Sequence, residues 1–364
     1  MKIADIIRQL EALAPPSLQE NYDNSGLLTG DPQMECTGII CSLDATEEVI
    51  AEAIEKKINM VVAHHPIIFS GLKKINGKNY VERTVIRAIK NDIAIYAIHT
   101  NLDNIIAGVN GKIADVLGLV NRQVLSQKKD SLKKLYYFVP TDHAEKVRQA
   151  IFDAGAGQIG KYSDCSFNVQ GEGSFKAGEG AHPFVGEPGK LHLEKEVRTE
   201  IVFPSYLQGA VVSALLAAHP YEEVAFDMVE LSNPHPETGS GIWGELPEPI
   251  SETELLEKLR DRFQLNIIRH SALTGKPLKK LALCGGAGSF LINSALSLGA
   301  DAFITADLKY HEFFDANGRL LLCDIGHYES EQFTIDLLWE VLAQKFPTFA
   351  VLKTGVRTNP VHYF

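Results

Sequence analysis

The apolar run Ile58-Asn59-Met60-Val61-Val62-Ala63 ends on His64-His65-Pro66. A short β-branched run without strict polar alternation fits a strand covered on both faces, the pattern of a parallel sheet. Such a strand carries two imidazoles to its C-terminal end, where α/β proteins place their chemistry. Successive strand side chains point to opposite faces, so neighbouring histidines serve one site only if the chain bends there. Pro66 suits a bend, because it removes a backbone donor and pushes His65 out of the helical region. Taken alone, the pair reads better as one packed histidine and one surface histidine. The rest of the chain shifts that balance.

Residues 1–127 alternate strand and helix patterns. Thr37–Leu43 reads as a buried strand, and Asp44-Ala45-Thr46 offers capping residues for a helix through Lys57. Met60–Ala63 is the next strand, Glu82–Lys90 a helix, and Ile93–Ile98 a strand running into His99-Thr100-Asn101-Leu102-Asp103. This alternation predicts a mostly parallel sheet with helices on its faces.

From residue 128 to 240 the rhythm changes. Strand patterns at Leu135–Val139, Cys165–Phe175, Arg198–Phe203 and Val224–Leu231 are interleaved with helices at Asp142–Ala154 and Leu207–Ala218. The β-α-β-β-α-β order is that of a ferredoxin-like domain, here expected as an insert. A Gly-rich, mobile stretch is expected from Gly171 to Gly189. The flanks Ser126–Asp130 and Ser232–Pro236 read as linkers.

Residues 241–364 return to buried strands, at Leu278–Cys284, Ala302–Thr305, Leu320–Asp324 and Phe349–Lys353, with a helix from Ser289. The two outer parts read as copies of one unit. His64 follows Cys41 by 23 residues, and Asp307 follows Cys284 by 23. The strand into Thr100–Asp103 then parallels the strand into Gly326-His327-Tyr328-Glu329, so the polar strand ends of both copies face a shared cleft. The fold class is therefore α/β: two similar halves with mostly parallel sheets, interrupted by a ferredoxin-like insert.

A net charge of −11 over 364 residues argues against direct nucleic-acid binding, which requires a basic surface. No apolar run is long enough to span a bilayer, and the N-terminus lacks the apolar core of a signal peptide. The five cysteines are scattered and free of CxxC spacing, so neither a disulfide framework nor a cysteine zinc site is expected. These features make the cytoplasm the expected location.

Three polar clusters lie at predicted strand ends: His64 with His65, His99 with Asp103, and His327 with Glu331. In a helix starting at about Tyr328, His327 and Glu331 share a face. Imidazole nitrogens and carboxylate oxygens together suit zinc, manganese, iron or similar ions. Three histidines and two carboxylates exceed one tetrahedral site. They suit two ions about 3.5–4 Å apart with a bridging carboxylate. Singly, HxxxE reads as a solvated helix pair and TNLD as a capped turn; metal binding is argued from the three together.

His64-His65-Pro66, His99-Thr100-Asn101-Leu102-Asp103 and Gly326-His327-Tyr328-Glu329-Ser330-Glu331 resemble, in order and without substitution, three signatures of the dinuclear-metal-centre hexamer family related to NGG-interacting factor. Its bacterial members are often labelled GTP cyclohydrolase I type 2 homologues. The resemblance implies that His65 and Asp103 bind one divalent ion, that His64 and His327 bind the other, and that Glu331 bridges them. Zinc is the foremost expected ion, with iron, manganese or others as alternatives, and the resemblance implies a toroidal homohexamer. His219-Pro220-Tyr221-Glu222-Glu223 resembles a segment of the CutA and PII trimer-forming domains, which some members carry as an insert.

Four features keep two readings each. His99 is an acid/base or ligand-orienting group, or else a strand-end core histidine. Gly285–Gly288 cradles a phosphate or makes a tight strand-to-helix turn. Asp307 and the polar residues Lys309–Glu312 line the cleft or form a surface loop. His219, Glu222 and Glu223 bind a metal or effector, or serve a trimer contact or cap. Two functions follow as expectations. One is a metal-dependent hydrolase acting on a nucleotide or small molecule, with GTP ring opening as the named reaction and His99 as the catalytic residue. The other is a non-catalytic metal storage, delivery or regulatory oligomer.

Overall fold

The computed structural model describes residues 1–364. Two compact units are present, one made of Met1–Gln127 with Pro236–Phe364, the other of Lys128–His235.

In chain order the first unit begins α1 (Ile3–Leu13), β1 (Gly26–Thr29), β2 (Ile39–Ser42), α2 (Glu47–Glu55), β3 (Met60–Ala63), α3 (Tyr80–Lys90), β4 (Ala94–Ala97), α4 (Thr100–Asp103), α5 (Val109–Leu117) and β5 (Val120–Gln127). The second unit holds β6 (Leu132–Pro140), α6 (Ala144–Asp153), β7 (Phe167–Lys176), β8 (Leu191–Pro204), α7 (Gln208–Ala218) and β9 (Phe226–Glu230). The chain then completes the first unit with β10 (Gly239–Ile250), α8 (Glu252–Phe263), β11 (Arg269–His270), β12 (Leu278–Ala287), α9 (Ile292–Leu298), β13 (Ala302–Ala306), β14 (Leu321–Asp324), α10 (His327–Glu331), α11 (Thr334–Lys345) and β15 (Val351–Lys353).

The repeat is visible in the strand order. One sheet runs β1-β4-β3-β2-β15 and the other β11-β14-β13-β12-β10-β5. In each, three consecutive strands, β2 to β4 and β12 to β14, pair in parallel with no change of order. Each residue of β2, β3 and β4 is buried, as expected for strands covered on both faces. Val49, Ile50 and Ala53 of α2 and Val85 and Ala88 of α3 cover one face of the first sheet. Residues of α9 cover one face of the second. The remaining faces share one core with α1, α5, α8 and α11, joining Met60, Val62 and Tyr96 to Leu281, Ile304 and Leu321. The five cysteines are free.

In the second unit the order is β7-β8-β6-β9, all antiparallel, which is the ferredoxin-like arrangement. The helices α6 and α7 pack on one face through Val147, Ile151, Val211 and Leu215 against Leu135, Tyr137 and Phe203. One expectation is corrected here. The Gly-rich stretch from Gly171 to Gly189 is not one mobile loop, because β7 runs through Lys176 and Gly171 and Gly173 pair with Glu196 and Glu194. Glycine lowers strand propensity, but a full ladder to β8 overrides it.

Candidate metal centre

The parallel strands of both sheets end around one pocket of the first unit. The chain bends at His64 and His65 directly after β3, while the His64 and His65 amides donate to Ser42 and Leu43 carbonyls (3.2 and 2.9 Å). The bend turns both imidazoles to one side, and their ring centroids lie 4.9 Å apart. After β4, TNLD forms the single turn α4. It is pinned by the buried Asn101, which donates to the Ala14 carbonyl (2.7 Å), and by Thr100, whose hydroxyl donates to Asp23 (2.5 Å). After β14, α10 starts at His327 itself, one or two residues earlier than the start at Tyr328 or Glu329 that the sequence suggests, and places Glu331 one turn on.

The structure brings His64, His65, Asp103, His327 and Glu331 together. Glu331 Oε2 accepts from His65 Nε2 (2.9 Å) and His327 Nε2 (3.1 Å). His65 Nε2 and His327 Nε2 are 3.4 Å apart. His64 Nε2 lies 3.6 Å from Asp103 Oδ1 and 3.9 Å from Glu331 Oε1. The distances thus group His64 with Asp103 and His65 with His327 about the shared Glu331. The family resemblance implies the other pairing.

All four histidines present the same nitrogen to the cluster. His64 Nδ1 donates to the Ile98 carbonyl (2.8 Å), His65 Nδ1 to Asp44 (2.8 Å), His327 Nδ1 to Asp307 (2.7 Å) and His99 Nδ1 to Asp23 (2.7 Å). A carbonyl or carboxylate oxygen accepts only, so each Nδ1 carries a proton and each ring turns its Nε2 inward, where the neutral ring has its lone pair. This is how metal-binding histidines are oriented. His64 Nε2 is fully buried and has no hydrogen-bond partner, an arrangement that costs free energy unless something fills the gap. Bonds of about 2.0–2.2 Å in tetrahedral geometry put ligand atoms roughly 3.3–3.6 Å apart, close to the 3.4 and 3.6 Å seen. The donor set and its spacing fit divalent ions held by nitrogen and oxygen.

Without an ion, protons occupy the centre. Burial pushes His65 down, but Asp44 and Glu331 override it and raise its pKa to about 10. Burial likewise opposes charge on His327, and Asp307 with Glu331 raises it to about 11. His64, wholly buried, is driven down to about 3. Burial and the Glu331 charge hold Asp103 well above the usual carboxylate range. Glu331 itself is opposed by burial and held low by His327 and His65.

Asp44 and Asp23 hold rings of the cluster and Gly286 makes room for Glu331, contacts that the sequence reading does not assign. Asp44 follows β2 as His64 follows β3, so its position at a parallel strand end was a usable signal. Instead of capping α2, a role Thr46 fills, it binds His65. Asp23 lies in a loop before β1 and gave no signal. Asp307, half exposed, reaches the centre through its hydrogen bond from His327 Nδ1. His99 stands with its ring 5.2 Å from His64 and 5.4 Å from His65, and its lone pair faces the same space.

Gly285 and Gly286 donate their amides to Asn110 and Ser330 (both 2.9 Å), so these amides are not free for a phosphate. Gly286 has φ 60°, and a Cβ there would lie 2.4 Å from Glu331 Oε1. Gly286→Ala is expected to push that carboxylate off its partners. It should cost roughly 1–3 kcal/mol, read as a lower denaturant midpoint together with reduced metal uptake. His219 has both nitrogens engaged, donating to the Phe138 carbonyl (2.9 Å) and accepting from the Tyr221 amide (3.1 Å). Neither nitrogen is left open for an ion.

Beside the centre is a cavity of about 460 Å³, reaching from Tyr22, His99 and Asp103 to Phe290 and His327. No helix is long and apolar enough to cross a membrane.

The family model described as Duf34/NIF3 (NGG1p interacting factor 3) matches residues 1–360. The GTP cyclohydrolase 1 type 2 homolog of Bacillus subtilis (strain 168) is 40% identical over 325 residues, covering 89% of this chain and 87% of that protein. The homolog of that name from Halalkalibacterium halodurans is 38% identical over 99% of both chains. Among solved structures, a Bacillus cereus protein related to NIF3 superposes with TM-score 0.87 at 36% identity, covering 100% of this chain and 99% of the other. With this match running nearly end to end, the chain belongs to the Duf34/NIF3 (NGG1p interacting factor 3) family.

Proposed function

We propose that His64, His65, Asp103, His327 and Glu331 hold two divalent ions, zinc foremost, with Glu331 shared, and that the centre hydrolyses a nucleotide by ring opening of the GTP type. The observation that carries this reading is the orphaned, buried Nε2 of His64, facing two carboxylates beside a second histidine pair. A bound pair of ions supplies an acidified water and stabilises developing negative charge. The chain's own residues do the rest. Asp44, Asp307 and the Ile98 carbonyl fix the ring orientations of His65, His327 and His64. His99, in the cavity wall and held by Asp23 behind it, holds or passes a proton at Nε2. The cavity beside the centre has room for a purine-sized ligand. The assembly in this reading is a homohexamer, and light scattering checks it.

One observation favours a second reading, a non-catalytic metal-handling or regulatory oligomer. None of the residues lining the cavity is Lys or Arg, so a triphosphate has no ammonium or guanidinium to meet there. Metal-free protein loaded in turn with zinc, iron or manganese and given GTP separates the two. Hydrolysis requires a ring-opened product by mass spectrometry whose formation disappears in His64→Ala. Absence of product, or the same yield from His64→Ala, rejects it. Metal that exchanges with a chelator while no product forms would establish the second reading.

A further inference from the structure

The second unit contains a cavity of its own, of about 450 Å³. It lies against the sheet face opposite α6 and α7. Phe138, Phe175 and Glu196 form its floor, the loop between β7 and β8 brings Phe184 over it, and Tyr221 to Glu223 close one side. The loop is latched by the His182 amide, which donates to Glu222 Oε1 (2.9 Å).

Three aromatic rings surround the space. Tyr221 lies 6.1 Å from Phe175 and 6.3 Å from Phe184, centroid to centroid, with interplanar angles of 60° and 48°. All three line the cavity, and the face of an aromatic ring carries negative charge density that attracts cations. Tyr221 donates its hydroxyl to Glu196 Oε1 (2.9 Å). The other Glu196 oxygen fills the space over Gly173, where a Cβ would lie 2.2 Å from it. Glycine at that position makes room for the carboxylate.

The charge balance is one-sided. Glu196, Glu222 and Glu223 line the cavity, and no Lys, Arg or His does. Among nearby basic residues, Lys134 and Arg198 pair with Glu200 and His192 with Glu194, while His143 meets Phe184 edge to face at 5.3 Å. An anion would be repelled here. A neutral apolar molecule would leave the carboxylates uncompensated. A bare divalent ion would find neither imidazole nor thiolate and would face three rings. A cation with apolar substituents satisfies both the rings and the carboxylates.

We propose that the Phe175, Phe184, Tyr221 and Glu196 box of the second unit binds a small alkylammonium ion. The ammonium head sits against the π faces with Glu196 as counter-ion, and the latched loop covers its apolar groups. This site is independent of the metal centre.

The test titrates the full-length protein by calorimetry and saturation-transfer NMR with choline, and with 3,3-dimethyl-1-butanol, its neutral carbon isostere. Saturable binding of choline is expected, with the isostere at least about tenfold weaker. Glu196→Gln and Tyr221→Ala should each weaken choline about tenfold, while Tyr221→Phe, which keeps the ring, should weaken it less. Circular dichroism confirms that each variant is folded. Should Tyr221→Ala unfold, Glu196→Gln carries the comparison. Equal binding of the isostere, no saturation by choline, tetramethylammonium or spermidine up to about 10 mM, or displacement of choline by low zinc at the same carboxylates would each overturn the assignment.

Discussion

Glu331→Gln is expected to cut the metal content from the proposed pair of ions to at most one per chain, measured by mass spectrometry of the metals after gel filtration. The variant keeps the volume and one carbonyl oxygen but loses the charge, and its amide nitrogen donates where the site needs an acceptor. Glu331 is 3% exposed, and one of its oxygens serves both His65 and His327. Asp44 and Asp307 cannot take its place, because they approach the Nδ1 side of the same rings, and Asp103 stands 3.6 Å from His64 Nε2. Losing an outer partner of a metal-binding histidine typically costs 10–100-fold in affinity, and losing a shared ligand should cost more. Stability should fall as well. In the metal-free protein two raised histidines flank this carboxylate, and removing one member of a buried charged network costs about 3–5 kcal/mol. Asp44 and Asp307 still neutralise the rings, so a loss near 3 kcal/mol is expected in urea. Full metal content in a folded Glu331→Gln protein would remove Glu331 from the centre.

The contrast between Asp44 and Asp23 shows what the sequence can and cannot reveal. Strand ends were legible because β2, β3 and β4 are continuous apolar runs, and each run stops at the residue where the side chains of the centre begin. The 23-residue spacing from Cys41 to His64 and from Cys284 to Asp307 marked the repeat, and the parallel triplets β2–β4 and β12–β14 are its structural counterpart. The partners that aim the histidines were not legible. A hydrogen bond such as His99 to Asp23 spans 76 residues, and nothing local marks one loop aspartate among others. Elements without a clean period were missed for related reasons. β10 carries Pro247 and Pro249, residues that argue against a strand, and its pairing with β12 is irregular between Glu245 and Ile250, where they lie. β7 was legible as the strand pattern Cys165–Phe175, and its glycines are held by the ladder to β8.

Metal uptake is expected to weaken steeply as the pH falls and to release protons. At pH 7 the metal-free protein carries protons on His65 and His327, whose pKa values stand at about 10 and about 11, but not on His64, at about 3. Ions require the Nε2 lone pair of each ring, so binding at neutral pH expels about two protons, and apparent affinity should change about a hundredfold per pH unit. That slope holds up to about pH 10, where His65 begins to lose its proton unaided. Calorimetry in buffers of different ionisation heat counts the protons directly. The stability of the metal-free protein follows the opposite logic. His65 and His327 have folded values above the unfolded one, so their stabilisation is complete below about pH 6.5 and fades as the pH rises through 10 and 11. His64 has a folded value below the unfolded one, so its contribution is present above about pH 6.5 and is lost as the pH falls toward 3. The same two protons therefore stabilise the empty site and obstruct the filled one. Metal should raise the melting temperature far more at pH 8 than at pH 6, and a metal-induced shift that ignored pH would mean that the ions bind away from these imidazoles.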